Sequence, residues 1–107
     1  MAPLGWLPLR RVSVRGPSMA PTLRHGDVVL VRMTRGARVG DVVLVSWDAR
    51  PGQLSVKRAM RPESEGWHVR GDNAFASTDS RELGAARILG VVLARLYPRP
   101  GRIRRPG

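Results

Sequence analysis

The strongest constraint on the fold of this chain is that its apolar residues come in short Val- and Leu-rich runs bounded by glycine, proline or aspartate. The hexapeptide Gly-Asp-Val-Val-Leu-Val occurs twice, at 26–31 and at 40–45. Such short runs of β-branched residues between turn residues are typical of strands rather than of helices. We therefore expect strands at 27–33 and 41–47 that start from similar Gly-Asp turns and are buried on both faces.

Further apolar runs predict a sheet that extends beyond these two strands. The segment 71–84 has no clean period and predicts a long polar loop, while Pro-Gly and Gly-containing stretches predict turns at 49–53 and 62–66. The remaining predicted strands are 11–15, 54–61, 66–70 and 85–97. For 85–97 the hydrophobic periodicity alone does not exclude a helix. The expected fold class is all-β, a small folded sheet or barrel.

The 107 residues suit a single domain with short appendages. We expect an apolar and basic segment at 1–10, a domain at 11–97 and a disordered Pro/Gly/Arg-rich tail at 98–107. No apolar run approaches the roughly 18 residues of a membrane-spanning helix, and the N-terminal arginines follow the apolar part instead of preceding it as in a signal peptide. The expected location is the cytoplasm or the surface of a membrane.

The net charge of +11 belongs mostly to the ends of the chain. Eight arginines and no acidic residue lie in 1–15 and 95–107. A strongly basic chain suggests an anionic partner, but no nucleic-acid-binding motif accompanies these arginines. A basic β-module that binds nucleic acid through its tails therefore remains only as the non-catalytic alternative.

The reactive side chains are few. There is no cysteine, which excludes a thiol nucleophile, and His25 and His68 lack metal-ligand spacing, so we expect no metal and no cofactor. Of 19 basic residues only Lys57 is a lysine, the one cation type here that can lose its proton when desolvated. Lys57 lies mid-strand between the small residues Ser55 and Ala59. Ser18 lies on a Gly- and Pro-containing turn. A serine hydroxyl becomes a nucleophile only when a base takes its proton, and Lys57 is the candidate for that base.

Three segments carry a resemblance to a known family. They are Gly16-Pro17-Ser18-Met19-Ala20-Pro21-Thr22-Leu23, then Val56-Lys57-Arg58, then Gly71-Asp72-Asn73 with Ser77-Thr78-Asp79-Ser80-Arg81 and Gly84. In this order and spacing they resemble the signal-peptidase-I family of Ser–Lys endopeptidases, and the resemblance covers roughly residues 12–97.

The resemblance implies a role for each matching residue. Ser18 would be the nucleophile, its backbone N–H would help to hold the oxyanion, and Lys57 would be the general base. Ser77 would orient the lysine amine and Met19 would line the substrate groove. Some members carry a serine at the position of Gly16, and its hydroxyl is a second oxyanion donor. Glycine has no such hydroxyl, so the sequence does not identify the second donor here. The residues implied to shape the surroundings are Gly16, Pro21, Asp72, Asn73 and the ion pair of Asp79 with Arg81.

Many members of the family carry N-terminal membrane helices and an inserted second β-domain. Here only 14 residues separate Lys57 from Asp72, which leaves no room for that insertion. This short form resembles the nickel-type superoxide dismutase maturation proteases, which remove an N-terminal extension from that enzyme. The implied partner is then a precursor protein, the dismutase proenzyme, and nickel belongs to that substrate.

Two protease alternatives stay open. A general type I signal peptidase could dock on a membrane surface through four apolar residues, Leu4, Trp6, Leu7 and Leu9, with Arg10 and Arg11 behind them. A LexA-like domain that cleaves its own chain also uses serine and lysine, although the Gly-Asp-Asn segment argues against it. The sequence does not indicate an oligomeric state.

Overall fold

The computed structural model describes residues 8–76 and 78–103 and is almost entirely antiparallel β-sheet, which confirms the all-β expectation. Its elements are β1 Leu9–Ser13, β2 Val28–Met33, β3 Val42–Trp47, β4 Arg50–Glu63, β5 Gly66–Arg70, α1 Ser80–Leu83, β6 Arg87–Tyr97 and β7 Gly101–Arg102. The strand order is β1-β2-β6-β3-β4-β5, and β7 also pairs with β6.

The sheet folds back on itself. An isolated bridge between Trp67 of β5 and Ala86, just before β6, joins the last strand of the order to the middle of the sheet. Gly66 beside this bridge has a φ of 145°, and a Cβ there would lie 2.4 Å from the Ala86 carbonyl oxygen. Glycine at this position therefore permits the close approach that folds the sheet.

The repeated hexapeptide forms the same turn twice, as predicted. Asp27 Oδ2 accepts the Arg24 N–H at 2.9 Å, and Asp41 Oδ2 accepts the Arg38 N–H at 2.9 Å. The preceding glycine of each copy, Gly26 or Gly40, has a φ near 90°. Each copy thus opens a strand in the same way, through an aspartate that accepts a backbone N–H within the turn.

Alternating side chains of β3 divide the interior into two clusters. The first cluster lies against Val42 and Leu44 and contains Val14, Met19, Leu23, Val29, Val31, Val56 and Val92. The second lies against Val43, Val45 and Trp47 and contains Ala59, Val69, Ala86, Ile88 and Val91. β3 is therefore buried on both faces, as predicted, whereas in β2 only Val29 and Val31 are fully buried.

Three details differ from the sequence-based expectations. The β3–β4 turn lies at Asp48 and Ala49 rather than at 49–53, because the register shift between Ser46 and Trp47 absorbs the following residues into β4. The loop 71–84 contains α1, which begins where Asp79 caps the first turn. Part of the tail predicted to be disordered pairs as β7, where Ile103 packs on the first cluster.

No helix in the described ranges is long and apolar enough to cross a membrane.

Removal of a side chain from the first cluster should destabilise the fold markedly. Leu23 is fully buried, so Leu23→Ala should lower the free energy of unfolding by about 3 kcal/mol through lost burial and a residual cavity. The matched control is Leu54→Ala in β4, where the leucine is 52% exposed and the loss should be about 0.5 kcal/mol or less. Urea denaturation of both variants measures the difference, and equal losses would contradict the described core.

Candidate active site

The segment that carries Ser18 is a closed loop between β1 and β2. Its ends are joined where the Val14 N–H donates to the Asp27 carbonyl at 2.8 Å and the Gly26 N–H donates to the Val14 carbonyl at 2.9 Å. Inside the loop, the Leu23 N–H donates to the Met19 carbonyl at 2.9 Å. Ser18 is therefore presented at the surface by a backbone that is fastened at its base and in its second half.

Met19 occupies a different place from the one expected. The resemblance placed it along the substrate groove, but its side chain is 1% exposed and packs in the first cluster with Leu23. Ser18 is half-buried and lines the cleft, while its neighbour Met19 is buried. Met19 thus anchors the loop that holds the serine, and this corrects its expected role.

Lys57 is buried in the middle of β4. It pairs with Val43 of β3, shares a strand face with Ala59, and is 4% exposed. Burial lowers the pKa of the Lys57 amine because the charged form loses its hydration, and the negative charge of Asp79 opposes part of this effect. The net direction is a pKa below the ordinary lysine value.

Ser18 and Lys57 line the same cleft. It has a volume of about 690 Å³ and runs along the end of β1 and the first half of β4, with Thr78 and Leu83 on its third side. Two arginines, Arg15 and Arg50, also line it, and its described lining contains no acidic residue. The positive charge of this lining favours neutral or acidic peptide segments.

The Gly-Asp-Asn segment connects the three motifs. Thr22 Oγ1 donates to Asp72 Oδ2 at 2.5 Å, and Arg58 donates to the same carboxylate through Nη2 at 2.6 Å and Nε at 3.1 Å. Burial raises the pKa of Asp72, but the hydrogen bonds from Arg58 and Thr22 outweigh it, so the pKa lies below its usual value. Asp72 therefore ties the loop of Ser18 to the strand of Lys57.

Asn73 fastens the same segment to the serine itself. Its backbone N–H donates to the Ser18 carbonyl at 2.9 Å, and its side-chain Nδ2 donates to the Pro17 carbonyl at 3.1 Å. Its Oδ1 accepts the Phe75 N–H at 3.1 Å, which forms the turn expected there. Sequence analysis assigned no role to Thr22 or Arg58, although both stand inside the matching motifs.

Helix α1 brings Asp79 beside the lysine. The Asp79 carboxylate, fully buried, accepts the Arg81 backbone N–H at 3.1 Å and pairs with the Arg81 guanidinium at 3.0 and 3.1 Å. Ser80 Oγ accepts the Val69 N–H at 2.9 Å, and Trp47 Nε1 donates to the Gly84 carbonyl at 3.1 Å. These bonds fix α1 to β5 and to β3.

Two expected shaping residues, Gly16 and Pro21, lie in the loop of Ser18. Gly16 has a φ of 79°, which favours glycine, and donates its N–H to His25 Nδ1 at 2.9 Å. Pro21 follows a cis peptide bond. Ser77, expected to orient the amine, lies outside the described residues, as do Leu4, Trp6 and Leu7 of the N-terminal segment.

Comparison with known proteins shows the family to which this chain belongs. Residues 8–93 match the Peptidase S24-like family, and the chain belongs to that family. A curated relative, the mitochondrial ATP-independent inner membrane protease subunit 1a of Arabidopsis thaliana, is 35% identical over 117 aligned residues, which cover 79% of this chain and 68% of the relative. The chain is thus a serine protease of the class that includes signal peptidases and LexA-like proteins, which confirms the family resemblance. The closer resemblance to the nickel-type superoxide dismutase maturation proteases stays a prediction.

The Asp72 network should contribute more to stability than an exposed ion pair of the same residue types. Asp72→Ala removes the partner of two half-buried groups and should lower the free energy of unfolding by about 2 kcal/mol at pH 7. The control Asp48→Ala breaks an exposed pair with Arg87 and should have no measurable effect. Chemical denaturation provides the comparison.

The Asp72 effect should also depend on pH. A folded-state pKa below the unfolded value means that the ionised carboxylate stabilises the fold above the unfolded pKa, and that this contribution is lost as pH falls through the folded pKa. The difference between wild type and Asp72→Ala should therefore shrink on acidification below about pH 4. A pH-independent difference would show that the charge of Asp72 plays no part.

Proposed function

We propose that this protein is a Ser–Lys endopeptidase in which Ser18 is the nucleophile and Lys57 the general base. The observation that carries the proposal is that the only lysine of the chain is buried, has a lowered pKa, and lines the same cleft as Ser18. A free lysine, with a pKa near 10.4, would be almost wholly protonated at pH 7 and unable to accept a proton. Burial increases the fraction of the neutral amine and so supplies the base.

The proposed reaction follows from these groups. Lys57 Nζ takes the proton of Ser18 Oγ while that oxygen attacks the scissile carbonyl, and Lys57 then gives the proton to the departing amine. Water next attacks the acyl-enzyme, with Lys57 again accepting a proton. The Ser18 N–H is the proposed oxyanion donor. Gly16 offers no side-chain donor, and its N–H is already directed at His25, so a second donor must come from elsewhere.

Ser77 and Asp79 complete the proposed setting of the base. Ser77 is proposed to hydrogen-bond the Lys57 amine, as the family resemblance implies. The negative charge of Asp79 raises the pKa of Lys57 and so limits how far burial lowers it. Asp79 is itself held by Arg81 and by its cap on α1, which keeps this opposing charge in place.

We propose that the substrate is a precursor protein from which an N-terminal pro- or signal segment is removed, and specifically the nickel-type superoxide dismutase proenzyme. The support is the short connection between the segment of Lys57 and the segment of Asp72. Lys57 leads through β4 and β5 straight to Asp72, with no second β-domain over the cleft. The relative's description as an inner membrane protease favours a second candidate, a general signal peptidase that works at a membrane surface.

Substitution of either proposed catalytic group should abolish cleavage and leave the fold intact. Ser18→Ala removes the nucleophile, and Lys57→Arg replaces the base by a group that stays charged, so each should lower kcat/KM by at least about 10³-fold. Lys57→Met is the uncharged variant of similar length. The control Ser46→Ala changes a serine of β3 away from the cleft and should retain activity. Substantial activity in Lys57→Arg would exclude Lys57 as the base, provided that circular dichroism shows a folded protein.

Substrate choice separates the two candidates. Incubation with the dismutase precursor and with a signal peptide that ends in Ala-x-Ala, with products identified by mass spectrometry, should give a single cut that releases the N-terminal extension of the precursor. Preferential cleavage of the signal peptide, together with flotation of the protein with anionic vesicles, would favour the membrane-surface peptidase instead. Cleavage of this chain itself, without added substrate, would favour the LexA-like alternative.

A further inference from the structure

One contact next to the nucleophile is made by a histidine that the proposed mechanism does not use. The Gly16 N–H, two residues before Ser18, donates to His25 Nδ1 at 2.9 Å. Both residues belong to the loop between β1 and β2, nine positions apart, so the imidazole spans the mouth of the loop. The sequence indicated no role for His25, because the histidine lacks metal-ligand spacing and stands between two motifs without belonging to either.

This contact lies upstream of Ser18, at Gly16. The Pro17 carbonyl, whose peptide carries the Ser18 N–H, accepts Asn73 Nδ2 at 3.1 Å and the Ala20 N–H at 3.1 Å. The Ser18 carbonyl accepts the Asn73 N–H at 2.9 Å, and Met19 is packed in the core. The hydrogen bond to His25 holds the peptide that enters Gly16, between this fastened part of the turn and the base of the loop at Val14.

The contact exists for only one charge state of the imidazole. A nitrogen that accepts a hydrogen bond carries no proton, so the contact requires the neutral imidazole with its proton on Nε2. Protonation would set an N–H at Nδ1 against the N–H of Gly16 and end the bond. Histidine is the side chain that commonly changes charge between about pH 5 and pH 8.

The charged groups around His25 belong to the loop and to β6. Arg15 adjoins Gly16, and Arg24 adjoins His25. Asp27 Oδ2 accepts the Arg24 N–H and lies 3.8 Å from Arg95 Nη1 of β6. Asp27 is thus already engaged by its own turn and by β6, which leaves the imidazole contact with Gly16 as a separate interaction.

We propose that His25 is a positioning residue, which in its neutral form holds Gly16 and thereby orients Ser18 for attack. This inference rests on the proposed Ser–Lys mechanism. Catalysis then needs unprotonated Lys57 as the base, and full activity also needs unprotonated His25 as the acceptor that shapes the nucleophile turn. Because the contact is at the surface, where water can replace it, its loss should lower kcat about three- to tenfold rather than abolish catalysis.

Two near-isosteric variants distinguish the acceptor position. In His25→Asn the side-chain oxygen takes the place of Nδ1 and remains an acceptor that does not titrate, whereas in His25→Gln the oxygen reaches the place of Nε2. We expect His25→Asn to retain kcat at alkaline pH, and His25→Gln and His25→Ala to lose about three- to tenfold in kcat with little change in KM. Wild-type kcat in His25→Gln would overturn the proposal.

The pH profile provides the second readout. The requirement for unprotonated Lys57 alone gives a slope of one in the logarithm of kcat/KM on acidification. Loss of the His25 contact should add a bounded downward step of about three- to tenfold in the wild type, after which the slope returns to one, whereas His25→Asn should keep a slope of one with no step. Superimposable profiles of the two proteins would overturn the proposal.

A measurement without catalysis keeps this inference separate from the proposed function. In Ser18→Ala, the backbone amide signal of Gly16 in nitrogen-15 NMR spectra should shift with pH together with the ring protons of His25. The shift should vanish in the double variant Ser18→Ala with His25→Asn. A Gly16 signal that does not follow His25 would refute the contact even if Ser18 is the nucleophile. If the Gly16 signal follows His25 but the protein with Ser18 in place proves inactive, only the proposed mechanism is refuted.

Discussion

The rest of the site depends on the exclusion of water from one amine. Lys57 lies in a strand that is covered by neighbours on both sides, and this burial lowers its pKa against the opposing charge of Asp79. The same burial has a cost for the fold. Because the unfolded chain binds this proton more tightly than the folded chain does, stability rises with pH between the folded and unfolded pKa values, and at neutral pH the buried amine is destabilising. A stable β-sheet around Lys57 is what allows the chain to keep such a group.

The sheet alone does not place the serine opposite the lysine. The Ser18 loop leaves β1, the lysine lies on β4, and these strands are far apart in the strand order. The loop after β5 connects them. Asp72 binds Thr22 of the serine loop and Arg58 next to the lysine, and Asn73 binds the Ser18 carbonyl. The Gly-Asp-Asn motif therefore links the loop of the proposed nucleophile to the strand of the proposed base, while Asp79, which caps α1, carries the charge that raises the pKa of Lys57.

Local patterns predicted those parts of the molecule that depend on local interactions. The two Gly-Asp-Val-Val-Leu-Val copies form the expected turns and strands because each aspartate bonds within three residues of itself. The serine, the lysine and the Gly-Asp-Asn segment could be singled out because each stands in a segment that resembles the signal-peptidase-I family. The contacts between motifs were not predicted, since Thr22 and Asp72 are 50 positions apart and nothing in their spacing marks the hydrogen bond. Met19 was misplaced for a related reason: a motif names the residue, but the direction of its side chain depends on how the loop packs.

The central claim concerns the protonation of a single group, and the chain offers a direct way to observe it. Since Lys57 is the only lysine, labelling lysine with carbon-13 gives one ε-carbon signal whose shift reports the amine. The titration midpoint of the folded protein should lie below that of the same protein unfolded in urea, near the ordinary value of about 10.4, and Asp79→Asn should lower it further. A folded-state midpoint equal to or above the unfolded one would contradict the account.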